Sequence, residues 1–152
     1  MVLQEALQSA IKAADQAHAT ATHSDNVAEN KYDTLGLEAA YLAHGQSQRV
    51  QECEVEIEQF SKISTTQNAN SAPATTITTG SLIELLDEKE ASNLFFLGPG
   101  AAGLKILIEK REIVVVTPAS PLGKALLDRK LYDEISINVG TEPTTYEIIG
   151  LC

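Results

Sequence analysis

The chain has little cysteine and no sequence typical of export or membrane insertion. Its 152 residues include two cysteines, Cys53 and Cys152, too few for a disulfide framework and without metal-binding spacing. No apolar run approaches the roughly 18 residues that a membrane-spanning helix needs. Residues 1–10 lack a basic segment followed by an apolar core, which disfavours a secretory signal. We therefore expect a reduced, cytoplasmic protein with free thiols and no membrane contact.

Basic residues are also scarce. The chain carries 11 basic and 21 acidic side chains, for a formal charge of −10. Nucleic-acid binding depends on lysine and arginine neutralising phosphates, so a stand-alone DNA- or RNA-binding module is disfavoured. Residues 1–64 hold four basic and ten acidic groups, so the N-terminal part is the more acidic. Such a protein can act near nucleic acid if a partner protein carries it there, or if its carboxylates meet a metal.

Residues 1–63 have helical periodicity. The pattern predicts one helix over residues 2–22 and a second over about 29–63, separated by a polar break. Two helices joined by a short turn predict a thin antiparallel hairpin, since each has only a narrow apolar stripe to bury. The predicted stripe residues are Leu3, Leu7, Ile11, Ala14, Ala17 and Ala21, then Tyr32, Leu35, Ala39, Leu42, Val50, Cys53, Ile57 and Phe60.

Residues 64–79 have the uncharged composition of a linker. After them the spacing of apolar residues changes from the helical period to the two-residue period of strands. We predict an α+β chain whose second domain, residues 80–152, is a small antiparallel sheet with one short helix. The apolar run 113–116 is typical of a central strand, and Ser120-Pro121 opens a helix over 122–130. The predicted strands are 81–87, 94–97, 104–108, 112–117, 134–139 and 145–151.

Two motifs suggest ligand sites but have simpler explanations. Gly98-Pro-Gly-Ala-Ala-Gly103 matches the G-x-G-x-x-G phosphate fingerprint, yet a predicted strand follows it instead of a helix. A glycine-rich connection between adjacent strands is the favoured interpretation. His18, His23 and His44 lack metal-ligand spacing and are interpreted as solvated or hairpin-facing side chains.

Three acidic residues lie around the predicted hairpin turn. Asp25, Glu29 and Asp33 follow one another at intervals of four residues. One interpretation is helix capping and favourable charge near a helix N-terminus. The other is that carboxylates at the end of a narrow arm enter another protein's cavity and share a divalent cation there.

Several of these segments resemble the bacterial Gre transcription-elongation factors, the GreA/GreB-like family. The strongest resemblance is Ser-Pro-Leu-Gly-Lys-Ala-Leu-Leu at 120–127, followed by Tyr-Asp-Glu-Ile at 132–135. Thr-Tyr-Glu-Ile-Ile at 145–149 is similar to the family's closing strand. In the hairpin, Glu29-Asn30 followed by Tyr32 is similar to the family's acidic tip.

The resemblance implies an FKBP-like C-terminal domain that docks on RNA polymerase at the rim of its secondary channel. It also implies that the coiled-coil hairpin enters the channel, where tip carboxylates help to hold a Mg²⁺ shared with the polymerase during transcript cleavage. Ser120, Pro121 and Lys124 would lie on the docking side, and Asp25 and Glu29 would be the metal-facing tip acids. The factor would be a monomer without catalysis or a tightly bound cofactor of its own, and would meet nucleic acid only inside the polymerase complex.

The chain departs from the family pattern in three places. Asp25 and Glu29 are separated by three residues where the family has two, so the family's aspartate position falls on Asn26. The first helix is shorter, and Asp128-Arg129 replaces a glycine after the short helix. Two alternatives therefore stay open: a channel-binding inhibitor or modulator without cleavage stimulation, and an FKBP-like prolyl isomerase or chaperone. A stand-alone coiled-coil adaptor is a third.

Overall fold

A computed structural model describes residues 2–22, 35–63, 76–139 and 142–152. The chain divides into two compact units, Met1–Glu58 and Gln59–Cys152. None of the described helices is both long and apolar enough to cross a membrane. The elements are α1 (Val2–Thr22), α2 (Leu35–Ile63), β1 (Leu82–Asp87), β2 (Ser92–Leu97), β3 (Lys105–Ile108), β4 (Arg111–Val116), α3 (Pro121–Leu126), β5 (Glu134–Val139) and β6 (Glu142–Leu151).

The N-terminal unit is the predicted helical hairpin. Along α1 the least exposed positions recur in alternating steps of four and three residues, as in a coiled coil. The same alternation along α2 passes through Ala39, Ala43 and Val50. The prediction for Leu42 was wrong, since that side chain is 57% exposed. Ala43 takes its place because steps of four and three residues keep a stripe on one side of a helix, and Leu42 falls off that stripe.

The C-terminal unit contains a six-stranded sheet in the order β3-β4-β2-β1-β6-β5. Four of the described strand pairs are antiparallel, but β2 and β4 pair in parallel. The sheet is therefore mixed, whereas a wholly antiparallel sheet was predicted. The apolar run 113–116 lies in β4, which has neighbours on both sides. Because β4 separates β2 from β3, the glycine-rich segment does not connect adjacent strands as predicted.

The core of the sheet unit is aliphatic. One of its members, Ile77, is fully buried although it belongs to the segment predicted as a linker. Its amide donates to the Arg129 carbonyl at 2.7 Å and its carbonyl accepts from the Asp128 amide at 3.0 Å. This part of the predicted linker is therefore integrated into the fold, and 64–75 lie outside the described residues. The core residues are Ile77, Ile83, Leu85, Leu97, Val116, Leu126, Ile135 and Ile148.

The last turn of α2 belongs to the sheet unit. The ring of Phe60 stacks on that of Phe96 in β2, with centroids 6.1 Å apart. Gly98 accommodates this ring, since a Cβ at that position would lie 2.9 Å from Phe60 Cζ. The end of α2 thus packs on the face of the sheet that carries Phe96.

Candidate functional site

Helix α3 carries the motif that resembles the Gre family, and its start is firmly capped. The Ser120 hydroxyl accepts a hydrogen bond from the Gly123 amide at 3.0 Å and donates one to the Thr117 carbonyl at 2.7 Å. Pro121 occupies the first turn, where its missing N–H leaves no intrahelical bond unmade. The predicted helix start is therefore confirmed, with Ser120 as the N-cap.

The helix ends earlier than predicted, at Leu126 instead of residue 130. Leu127 has an extended backbone and Asp128 has a positive φ of 64°. The Asp128 amide then bonds to the Ile77 carbonyl. These contacts draw the chain out of the helix, although the leucines and lysine of this segment favour helix formation on their own.

The predicted docking residues lie in different environments. Pro121 and Lys124 are exposed, and their spacing of three residues places them on one side of α3. Ser120 is half-buried, and its hydroxyl is used by the fold as described above. Pro121 and Lys124 are thus accessible to a partner, whereas Ser120 fixes the helix that presents them.

A second feature follows α3 and was missed in the sequence. Residues 127–132 hold three exposed apolar side chains, those of Leu127, Leu131 and Tyr132. Tyr132 has a φ of 69°, and its amide donates to the Ile148 carbonyl at 2.8 Å. The sequence there reads Leu-Asp-Arg-Lys-Leu-Tyr, and the four-residue spacing of its two leucines, taken as helical periodicity, indicates burial.

The hairpin presents acidic side chains toward solvent. Glu52, Glu54 and Glu58 are exposed along the outer face of α2. Arg49 Nη1 donates to Glu52 Oε2 at 3.0 Å, and this hydrogen bond raises the pKa of Arg49. Because the guanidinium is charged at any physiological pH, the consequence is local ordering of the two side chains and not a change in protonation.

The predicted tip acids Asp25, Glu29 and Asp33 lie outside the described residues, and so does His23. Their roles stay predictions. His18 and His44 are exposed on α1 and α2. Within the described ranges, no group of three or more histidine, cysteine or acidic side chains is placed to hold a metal ion.

The glycine-rich segment 98–103 is tied to the sheet. The Gly98 amide donates to the Val116 carbonyl and the Gly103 amide donates to the Val115 carbonyl, both at 2.8 Å. Strand β3 follows, where the phosphate motif requires the N-terminus of a helix. These two amides are committed to β4, so the segment is not built as a phosphate cradle.

A shallow cleft of about 240 Å³ is lined by residues of the paired strands β2 and β4. Its lining mixes polar and apolar side chains, and Phe95 is the one aromatic residue among them. The isomerase alternative implies a pocket lined with several aromatic side chains. This cleft fits that activity poorly.

No protein-family model matches the chain, and no curated protein sequence matches it significantly. Several solved structures are similar to it, and three of them are described here. Gfh1 of Thermus aquaticus has 19% identity and a TM-score of 0.43, with 98% of this chain and 90% of that chain covered. GreA factor homolog 1 of Thermus thermophilus has 21% identity and a TM-score of 0.41, covering 99% and 92%. The elongation factor GreA/GreB of Nitrosomonas europaea has 17% identity and a TM-score of 0.41, covering 60% and 77%. These three neighbours are two Gfh1 proteins and one GreA/GreB elongation factor.

Proposed function

We propose that the chain binds RNA polymerase and regulates transcript elongation, with the tip of its hairpin inserted into the secondary channel. One observation carries the proposal. The Ser-Pro-Leu-Gly-Lys motif at 120–124 begins a capped helix with Pro121 and Lys124 exposed on a small sheet unit, and the same chain carries a narrow two-helix hairpin. This is the two-part architecture that the resemblance to Gre factors implies.

In this proposal the sheet unit binds the surface of the polymerase, and the hairpin enters the secondary channel. Pro121 and Lys124 contact the polymerase, while Ser120 holds α3 in position. The hairpin suits a confined channel because its inner stripe is rich in alanine, so the helices need little space between them. Helix α2 has 29 residues and is about 43 Å long, which gives the arm its reach.

The tip acids would contribute to chemistry that belongs to the polymerase. Asp25 and Glu29, with Asp33 nearby, would offer carboxylate oxygens to a Mg²⁺ shared with the polymerase active site. Carboxylates are preferred ligands of this ion, which commonly keeps several waters and few protein ligands. In this proposal the chain supplies charge and position, and the cleavage chemistry is the polymerase's, so the chain acts as a cytoplasmic regulator and not as an enzyme.

The test combines binding and transcript cleavage. We expect the full chain to bind core RNA polymerase at micromolar concentration or below. The variant Asp25→Ala/Glu29→Ala should abolish factor-stimulated RNA cleavage in stalled complexes and leave binding within twofold. Asp15→Ala/Glu54→Ala is the matched control, because it removes two exposed hairpin acids from outside the tip. Failure of the wild-type chain to bind would overturn the proposal.

A second candidate is a channel-binding inhibitor or modulator that does not stimulate cleavage. The offset at the tip favours it, since Asn26 occupies the family's aspartate position. An asparagine is neutral and cannot compensate the charge of a cation as a carboxylate does. This candidate predicts that the wild-type chain slows elongation without increasing cleavage, and that Asn26→Asp confers or increases cleavage.

A further inference from the structure

We draw no further inference here: the strongest candidate, the outer edge of the sheet at β3 with its exposed Leu107 and Ile108, carries no proposal because nothing in the structure shows what covers it.

Discussion

Gly123 lies directly against the backbone of Thr117, so that a Cβ at position 123 would be 1.9 Å from the Thr117 carbonyl oxygen. The same carbonyl accepts the hydrogen bond of the Ser120 hydroxyl. Thr117 follows the last residue of β4. These two contacts join the first turn of α3 to the end of an interior strand, and they fix the exposed side chains of α3 relative to the sheet.

We expect Gly123→Ala to lower the free energy of unfolding of the sheet unit by about 2 kcal/mol, because the methyl group forces α3 away from Thr117. Gly45→Ala in α2 is the control, since nothing lies within 4 Å of a Cβ there. It should stabilise the hairpin by about 0.5–1 kcal/mol through the higher helix propensity of alanine. Urea unfolding followed by NMR amide signals separates the two units. Equal stability of Gly123→Ala and the wild type would contradict the close contact.

Substitutions in the turn between β3 and β4 should increase the stability of the sheet unit. Glu109 and Lys110 form a two-residue connection closed by the Ile108–Arg111 pair, and both have positive φ. Such a turn favours Asn-Gly. Glu109→Asn/Lys110→Gly should therefore raise the stability of the sheet unit by about 1–2 kcal/mol. Glu109→Ala/Lys110→Ala removes the same two charges without relieving the strain and should give no gain in a thermal melt.

Arg111 and Glu84 form an ion pair that crosses the intervening strand β2. Arg111 Nη2 lies 2.6 Å from Glu84 Oε1, and their side chains are 56% and 27% exposed. Because solvent screens a pair this exposed, its coupling energy should be about 0.5–1 kcal/mol. A double-mutant cycle with Glu84→Gln and Arg111→Met measures it. The coupling should shrink in high salt, and a value independent of salt would argue against an electrostatic origin.

The two thiols should differ sharply in reactivity. Cys53 is 1% exposed, whereas Cys152 is exposed. Since a reagent must reach the sulfur, a thiol-specific label should modify one cysteine in the native chain and two in denaturant. Cys152→Ser should abolish native labelling, and Cys53→Ser should leave it unchanged. Native labelling of Cys152→Ser would show that the hairpin opens.

Much of this fold could be predicted from local pattern. The alternation of Ile135 and Ile137 with polar residues predicts β5, and Ser120-Pro121 predicts the start of α3 because capping depends on adjacent residues. The alanine stripe predicts α1 because helical periodicity is also a pattern of nearby residues. In each case the deciding interaction lies within a few residues along the chain.

The features that escaped prediction depend on distant residues. The end of α3 is determined by Ile77, which lies about fifty positions earlier in the chain. The parallel pairing of β2 with β4 depends on which strands meet in space, and the apolar letters of β4 suit either direction. The exposure of Leu127, Leu131 and Tyr132 was missed because leucine and tyrosine normally indicate burial. Here backbone hydrogen bonds to Ile77 and Ile148, which are distant in sequence, determine the path of this segment.

The position of β6 has a consequence for how this protein is made. Strand β6 lies inside the sheet, between β1 and β5, and Leu82 and Cys152 exchange two backbone hydrogen bonds. During synthesis the helices emerge first and have their partners at once. The sheet lacks an interior strand until residues 142–151 have left the ribosome, and β5 has no neighbour before then. The hairpin can therefore form on the nascent chain, whereas the sheet unit is completed only after β6 has emerged from the ribosome.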